Sequence, residues 1–426
     1  MLLTGQKISP INVKSETGVL GKVLIHQPDE GIEKVTPARA IELLYDDIVY
    51  LPKMIEEHKI FTTVLSGFVG RENVVEFEVL LADVLKNNEV RKNILKVICY
   101  LERCGERIER FFYDTEPSLL ARTLITGVYH HKKQVPIFFP LPNLIFTRDL
   151  GTVVNDYLII SQSKTKARSR ESILAYFVFS NHPMFSGNDG KIIGLSSDQD
   201  ELLYNNNGEI GKYSVEGGDV MLIRDNHLLI GVSERTTEEG VNKLVTRIFS
   251  KKAVSEISVV YLPSTRMYMH LDTIFTLTKE SESVVYEPLI CQAGKTKVKH
   301  YVRPVGKVEE YQCVKDLLLE KYKSWNFISC GEGKSPFAER EQWTDACNLF
   351  VVKPGVAFAY DRNTKTNSWL KEFGYQVIPA EELVSKIISG VFNPTEINNT
   401  IISLPSSELS RARGGPHCMT MPLIRS

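Results

Sequence analysis

Apolar positions in the first third of the chain come in two textures. After Thr17 the run GVLGKVLIHQP is a short apolar block stopped by polar residues and a proline, which predicts a buried strand. Residues 39–68 place apolar side chains three and four apart, which predicts helix, with Pro52 suited to the first turn of a second helix. From 74 to 135 the helical period continues almost without strand signals. That stretch predicts an all-α packet of about four helices.

After Pro136 the pattern changes to short strands with tight polar turns. YLIISQS (157–163), DVMLIRDNHLLIGVS (219–233), EISVVYLPS (256–264) and IFTLTKESESVVYEP (274–288) read as strands and hairpins, with Asp225-Asn226 as the turn of the second. RESILAYFVFSNHP (170–183), TTEEGVNKLVTRIFSKK (236–252) and KVEEYQCVKDLLLEKYKSW (307–325) read as helices between them. CNLFVVKPGVAFAYDRN, TNSWLKEFG and YQVIPA repeat the order hairpin, helix, strand. At least three ββαβ units are therefore expected. They can build one pseudo-symmetric α/β domain from residues 1–73 and 136–426, with 74–135 as an inserted helical domain. A doubly wound open sheet fits the same pattern, since periodicity does not set strand order.

Composition narrows the partners. The 426 residues carry 51 basic and 52 acidic side chains, a net charge of −1, so there is no overall basic field for nucleic acid or an anionic membrane. No apolar run approaches the roughly 18–20 residues that span a bilayer. The start, MLLTGQKISPINVKSE, lacks the basic and apolar regions of a secretory signal. Seven cysteines, an odd number without CxxC spacing, suggest a reducing compartment, and the cytoplasm is the expected location.

Four segments concentrate polar residues where turns meet strands. PLPNLIFTRDL (140–150) carries Asn143 and Asp149, and SVEGGDVMLI (214–223) sets two glycines between Glu216 and Asp219. MYMHLDTIFTL (267–277) alternates so that His270 and Asp272 share one face of a strand. SELSRARGGPHCMTMP (407–422) is a glycine-rich loop with Arg413, Gly414, His417 and Cys418. Each segment alone has a bland reading: a buried filler cysteine, a structural histidine–carboxylate pair, a turn glutamate, a surface Arg148–Asp149 pair. Together, three acidic residues, a histidine and a cysteine suit a planar cation, whose N–H groups carboxylates accept while a thiolate attacks the central carbon. Without paired metal-ligand spacing, no zinc site is expected.

Taken with ELLYDD (42–47), GVSERT (231–236) and PGVAFAYDRN (354–363), the blocks FTRD, EGGDV, MHLDTIFT and RGGPHCMTMPL resemble the arginine deiminase family of guanidino-group modifying enzymes, in the family's order and over nearly the whole chain. The resemblance implies a pentein fold, a five-bladed α/β propeller of ββαβ units with an inserted helical domain. It implies Cys418 as nucleophile, His270 as general acid/base, Glu216 as its orienting partner, and Asp149 and Asp272 gripping the guanidinium. Asn143, Arg168, Arg235, Arg413, Gly414 and His417 would hold the rest of the substrate. L-arginine as substrate, a homo-oligomer, and no metal or organic cofactor complete what it implies. Amidinotransferases, methylarginine hydrolases and agmatine deiminases share the core set. The arginines favour a substrate with a free carboxylate, and the helical insertion favours a deiminase.

Overall fold

The computed structural model describes residues 10–130, 134–187, 190–195, 212–304 and 307–426. One pattern recurs through them: an antiparallel hairpin, a helix, then a strand returning parallel to the hairpin. Gly151–Val154 and Tyr157–Ile160 are followed by the helix Ser169–Asn181 and by Ile192–Ile193. Val220–Arg224 and His227–Val232, turned at Asp225-Asn226 as expected, lead through Glu238–Lys251 to Glu256–Tyr261. Phe275–Lys279 and Glu282–Val285 take Asn326–Ser329 as their parallel neighbour after the helix Val314–Tyr322. Phe350–Lys353 and Val356–Tyr360 are joined by Thr400–Leu404, with Gln376–Pro379 outside it. In the last set, Met421–Arg425 pairs antiparallel with Leu20–Ile25, and the helix Leu51–Val69 leads to Val74–Glu76, parallel to it.

Local chemistry explains the helix ends. The Asn87 side chain accepts from the backbone N–H of Glu89 and Val90 to open Asn88–Leu101, and Thr237 does the same for Gly240 at the start of Glu238–Lys251. Four helices, Phe77–Val84, Asn88–Leu101, Glu106–Tyr113 and Pro117–Thr126, occupy the middle of the stretch 74–135 where an all-α packet was expected, but strands stand at its ends, Val74–Glu76 and Val128–His130 paired with Gln134–Pro136. Their apolar side chains, among them Leu80, Leu95, Phe112 and Leu124, share one core with Leu158, Leu174 and Met421.

Two expectations need correction. Residues 39–50 are not helical: turns run to Leu44, whose φ is +58°, because tertiary bonds hold this segment. Leu43 O accepts from Asn143, and Asp46 pairs with Arg266. The segment 307–325 is helical only in its second half, since Val308–Tyr311 adds an edge strand to Lys297–Val302. Among the described residues, no helix is long and apolar enough to cross a membrane.

Candidate active site

Each hairpin is entered through a tight turn, and the expected chemistry sits on those turns. Thr147–Leu150 carries Asp149 just before its strand, Gly217–Asp219 follows Glu216, and Leu271–Thr273 carries Asp272 after His270. Asn348, just after the turn 344–347, precedes the hairpin that starts at Phe350, and a turn holding Cys418 precedes the strand Met421–Arg425. Five turns thus deliver their polar side chains to one place.

The turns come this close because of two glycines. A Cβ at Gly217 would lie 1.9 Å from Arg148 O, and one at Gly218 would lie 2.6 Å from His270 Nδ1. A side chain at Gly217 would push the Glu216 turn away from the Arg148–Asp149 turn, and one at Gly218 would push it away from His270. The stretch around His270 is not the strand its alternation predicts. His270 is extended, but Leu271–Thr273 forms a 3-10 turn and the strand starts only at Phe275. Asp219 Oδ1 accepts from Leu271 N at 2.8 Å, and Thr273 Oγ1 donates to His270 O at 2.6 Å. Leu271, Asp272 and Thr273 are all fully buried, so the alternation separates no solvent face from a core face.

Cys418 Sγ lies 3.5 Å from Asp272 Oδ2, which also accepts from His417 Nδ1 at 2.9 Å. His270 Nε2 is 3.0 Å from Glu216 Oε2, and its Nδ1 has no protein hydrogen-bond partner. The Asp149 carboxylate accepts from Gly218 N at 3.2 Å and lies 3.9 Å from His270 Nδ1. Arg168 joins the carboxylates: its Nη1 donates to Asp149 Oδ2 at 2.8 Å and Glu216 Oε2 at 3.0 Å, and its Nε to Glu171 at 2.8 Å. Asp149, Glu216 and His270 converge closely enough to chelate a cation, but the Arg168 guanidinium already bridges the two acids.

A small cavity is lined by Asn143, Asp149, Arg168, Arg235, His270, Arg413 and Cys418, with Leu44, Phe146, Arg266 and Met269. Asn143 Nδ2 donates to Leu43 O, and buried Arg235 pairs with Glu234. Arg413, at φ +59°, stacks 3.6 Å over the Trp343 ring and donates to Met267 O. Gly414 N donates to Asp345 Oδ2 at 3.0 Å, and a Cβ there would strike Phe146. His417, expected to touch substrate, has both ring nitrogens engaged by protein groups, Nδ1 by Asp272 and Nε2 by Arg148 and Glu16.

Sequence reading missed Asn348, which ties the nucleophile loop to the His270 turn. Its Nδ2 donates to Asp272 O, and its Oδ1 accepts from Cys418 N, both at 3.0 Å. Its signal was available: a polar residue just ahead of a hairpin, the position shared by Asp149 and Cys418. Arg266 was missed because its partners, Leu44 and Asp46, lie more than two hundred residues away in sequence.

Burial sets the electrostatics. It opposes charge on His270, but Asp149, the Glu216 hydrogen bond and Asp219 outweigh it and raise the imidazole to about 10. Burial likewise opposes charge on Glu216, yet Arg168, His270 and Arg235 hold it well below the usual carboxylate range. Glu171, the third acid on the Arg168 guanidinium, is pushed up by burial to about 7. Burial and the carboxylates of Asp272, Asp149 and Asp345 push the Cys418 thiol far up, so without a bound cation it stays protonated.

A deeply buried thiol, an imidazolium and converging carboxylates on a pseudo-repeated α/β scaffold define a class of proteins built to hold a cation beside a cysteine. The fold is similar to that of SxtG, an amidinotransferase from Microseira wollei in the saxitoxin biosynthetic pathway, with a TM-score of 0.52 at 13% identity, covering 98% of this chain and 97% of that one. The family model described as "Arginine deiminase" matches residues 116–425. The arginine deiminase of Borrelia duttonii (strain Ly) is 32% identical over 448 residues, covering 99% of each chain. That of Listeria monocytogenes serovar 1/2a is 30% identical over 440 residues, covering 97% of this chain and 98% of the relative. This chain belongs to the arginine deiminase family.

Proposed function

We propose that this protein hydrolyses L-arginine to L-citrulline and ammonia through a covalent thiouronium on Cys418. The observation that carries the reading is one small cavity lined by Cys418, Asp149 and His270 together with Arg168, Arg235 and Arg413, with Asp272 against the thiol and Glu216 against the imidazole. Asp149 and Asp272 would accept the guanidinium N–H groups, while Asn143, Arg168, Arg235 and Arg413 would serve the α-amino and α-carboxylate end. The cavity holds about 20 Å³, room for one water, so substrate entry requires Arg168 or Arg413 to swing aside.

The charges then order the reaction. The cationic guanidinium offsets the carboxylates that keep Cys418 protonated, and as substrate binds the Cys418 thiol gives up its proton to solvent. The thiolate attacks the guanidinium carbon. Protonated His270 delivers its proton to the departing amino group, and ammonia leaves. Neutral His270 next takes a proton from water, the resulting hydroxide attacks the thiouronium carbon, and the adduct collapses: the C–S bond breaks, the hydroxyl proton passes to the departing Cys418 sulfur, and citrulline is freed. Glu216 keeps the imidazole oriented, and fixed dipoles rather than mobile water surround the developing charge.

The architecture that fits is a five-bladed propeller, residues 1–73 and 136–426, around the five turns, with 74–135 as its helical insertion except for Val74–Glu76, which belongs to the sheet of Leu20–Ile25. We further propose cytoplasmic location and a homo-oligomeric state. The test is to incubate purified protein with arginine, agmatine, methylarginine, and arginine plus glycine, and to identify products by mass. Citrulline and ammonia from arginine alone are expected. Ornithine release with glycine present would instead make the protein an amidinotransferase.

A further inference from the structure

Behind Asp272 lies a buried polar chain that the proposed reaction leaves unused. Glu16 and Arg148 are 5% and 1% exposed; Glu16 lies outside every block read from the sequence, and Arg148 falls within FTRD without a role of its own. Arg148 Nη1 and Nη2 donate to Glu16 Oε1 and Oε2 at 3.2 and 3.0 Å, a fork-to-fork pair. The second hydrogen on Arg148 Nη2 points to His417 Nε2, 2.9 Å away. A guanidinium carries only donors, so at this distance Nε2 must present its lone pair, and the proton of the neutral ring sits on Nδ1. Nδ1 lies 2.9 Å from Asp272 Oδ2, a carboxylate acceptor. The links to Arg148 and Asp272 then each have one donor and one acceptor, while Glu16 Oε2, also an acceptor, stands farther from Nε2 at 3.3 Å and is satisfied by Arg148 instead. An imidazolium would set two donors against each other at Arg148.

The outcome at Asp272 is specific. Oδ2 carries the His417 N–H and faces Cys418 Sγ, whereas Oδ1 takes no hydrogen bond from the protein and is the atom available to a guanidinium. A cationic His417 would cancel the charge of Asp272 and repel a cationic substrate. A neutral donor fixes the carboxylate and leaves its charge intact.

We propose that Glu16 and Arg148 are positioning residues: they lock His417 as the neutral Nδ1–H tautomer, and His417 aims Asp272 at the substrate guanidinium. This rests on the deiminase reading for its consequence in turnover, though not for the tautomer itself. The charged and titratable groups facing the chain are Arg425 beside Glu16, and His270 and Cys418 beside Asp272.

Two measurements test it. Long-range proton–nitrogen NMR of histidine-labelled full-length protein, with the His417 signal assigned by its loss in His417→Asn, is expected to show a neutral Nδ1–H ring. In Glu16→Gln the fixed tautomer is expected to be lost. An Nε2–H ring or an imidazolium in the wild type at neutral pH overturns the proposal. In steady-state kinetics, His417→Leu is expected to lower kcat about 100-fold, the scale of a lost orienting partner, with a smaller change in KM. His417→Asn, whose amide can still donate to Asp272, is expected to recover about tenfold of that loss. Equal losses in both variants, or a Glu16→Gln protein that melts earlier with unchanged kcat per folded molecule, would reduce the chain to a structural role and overturn the proposal. If wild-type protein releases no citrulline, the deiminase reading falls, and the NMR spectrum alone decides for or against the locked tautomer.

Discussion

His26 and His270 are both sealed from solvent, and each is held between carboxylates that raise it to about 10 against its burial. Their difference lies in one atom. His26 is closed on both sides, Nδ1 on Glu76 at 2.6 Å and Nε2 on Asp29 at 3.0 Å. His270 is closed only at Nε2, while its Nδ1, Asp272 Oδ1, Glu216 Oε1 and Arg168 Nη2 have no protein partner. A shifted pKa therefore does not distinguish a working group from a structural one here. Unpartnered buried polar atoms also occur away from the site, at His58 and Arg425, so it is the meeting of four of them around His270 and Cys418 that sets this region apart.

That contrast can be broken most sharply at the nucleophile. Cys418→Ser is expected to lower citrulline production about ten-thousand-fold or more while leaving the melting temperature nearly unchanged; substantial remaining turnover would remove the site from the chemistry. His270→Gln follows, with an expected loss in kcat of about a hundred- to ten-thousand-fold and little change in stability by urea titration. His26→Gln is expected to do the reverse. Breaking a buried, doubly paired cation costs about 3–5 kcal/mol in unfolding free energy, with kcat per folded molecule unchanged. A kcat loss in His26→Gln matching that of His270→Gln would erase the distinction.

The smallest expected effect is in the pH dependence of stability. His26 is raised from 6.5 to about 10 on folding, so its contribution is complete below pH 6.5 and is lost as pH climbs toward 10. His227 shows the opposite sign. Burial, with His300 and Lys321 nearby, lowers it to about 3, and its ring hydrogen-bonds Tyr322 and Ser258. Its contribution is present above pH 6.5 and lost as pH falls toward 3. Urea midpoints should accordingly decline at both ends, and His26→Gln should flatten only the alkaline side.

Much of this was legible beforehand, and the omissions share a cause. Repeated hairpin, helix and strand blocks were readable because each is local, from the Asp225-Asn226 turn to the helix at Glu238–Lys251. Cys418, His270, Glu216 and Asp149 could be picked out because glycines and turn residues surround them. The period misled at His270 and Asp272, where site requirements rather than a sheet face set the alternation. Glu16 was invisible because nothing near it in sequence shows that Arg148, 132 residues on, will neutralise it. The bridging of Asp149 and Glu216 by Arg168 was hidden likewise, since spacing gives no sign of which partner a long cationic side chain chooses.

The strand Met421–Arg425 closes against Leu20–Ile25, and Cys418 stands just ahead of it. During synthesis the acids, the imidazole and Arg168 all leave the ribosome long before the thiol does. They can assemble, and Arg168 can satisfy Asp149 and Glu216, while no nucleophile is present. The pairing of this strand with Leu20–Ile25 thus ties the seat of the thiol to a segment some four hundred residues earlier, so the nucleophile is held in place only where two distant stretches of the chain meet.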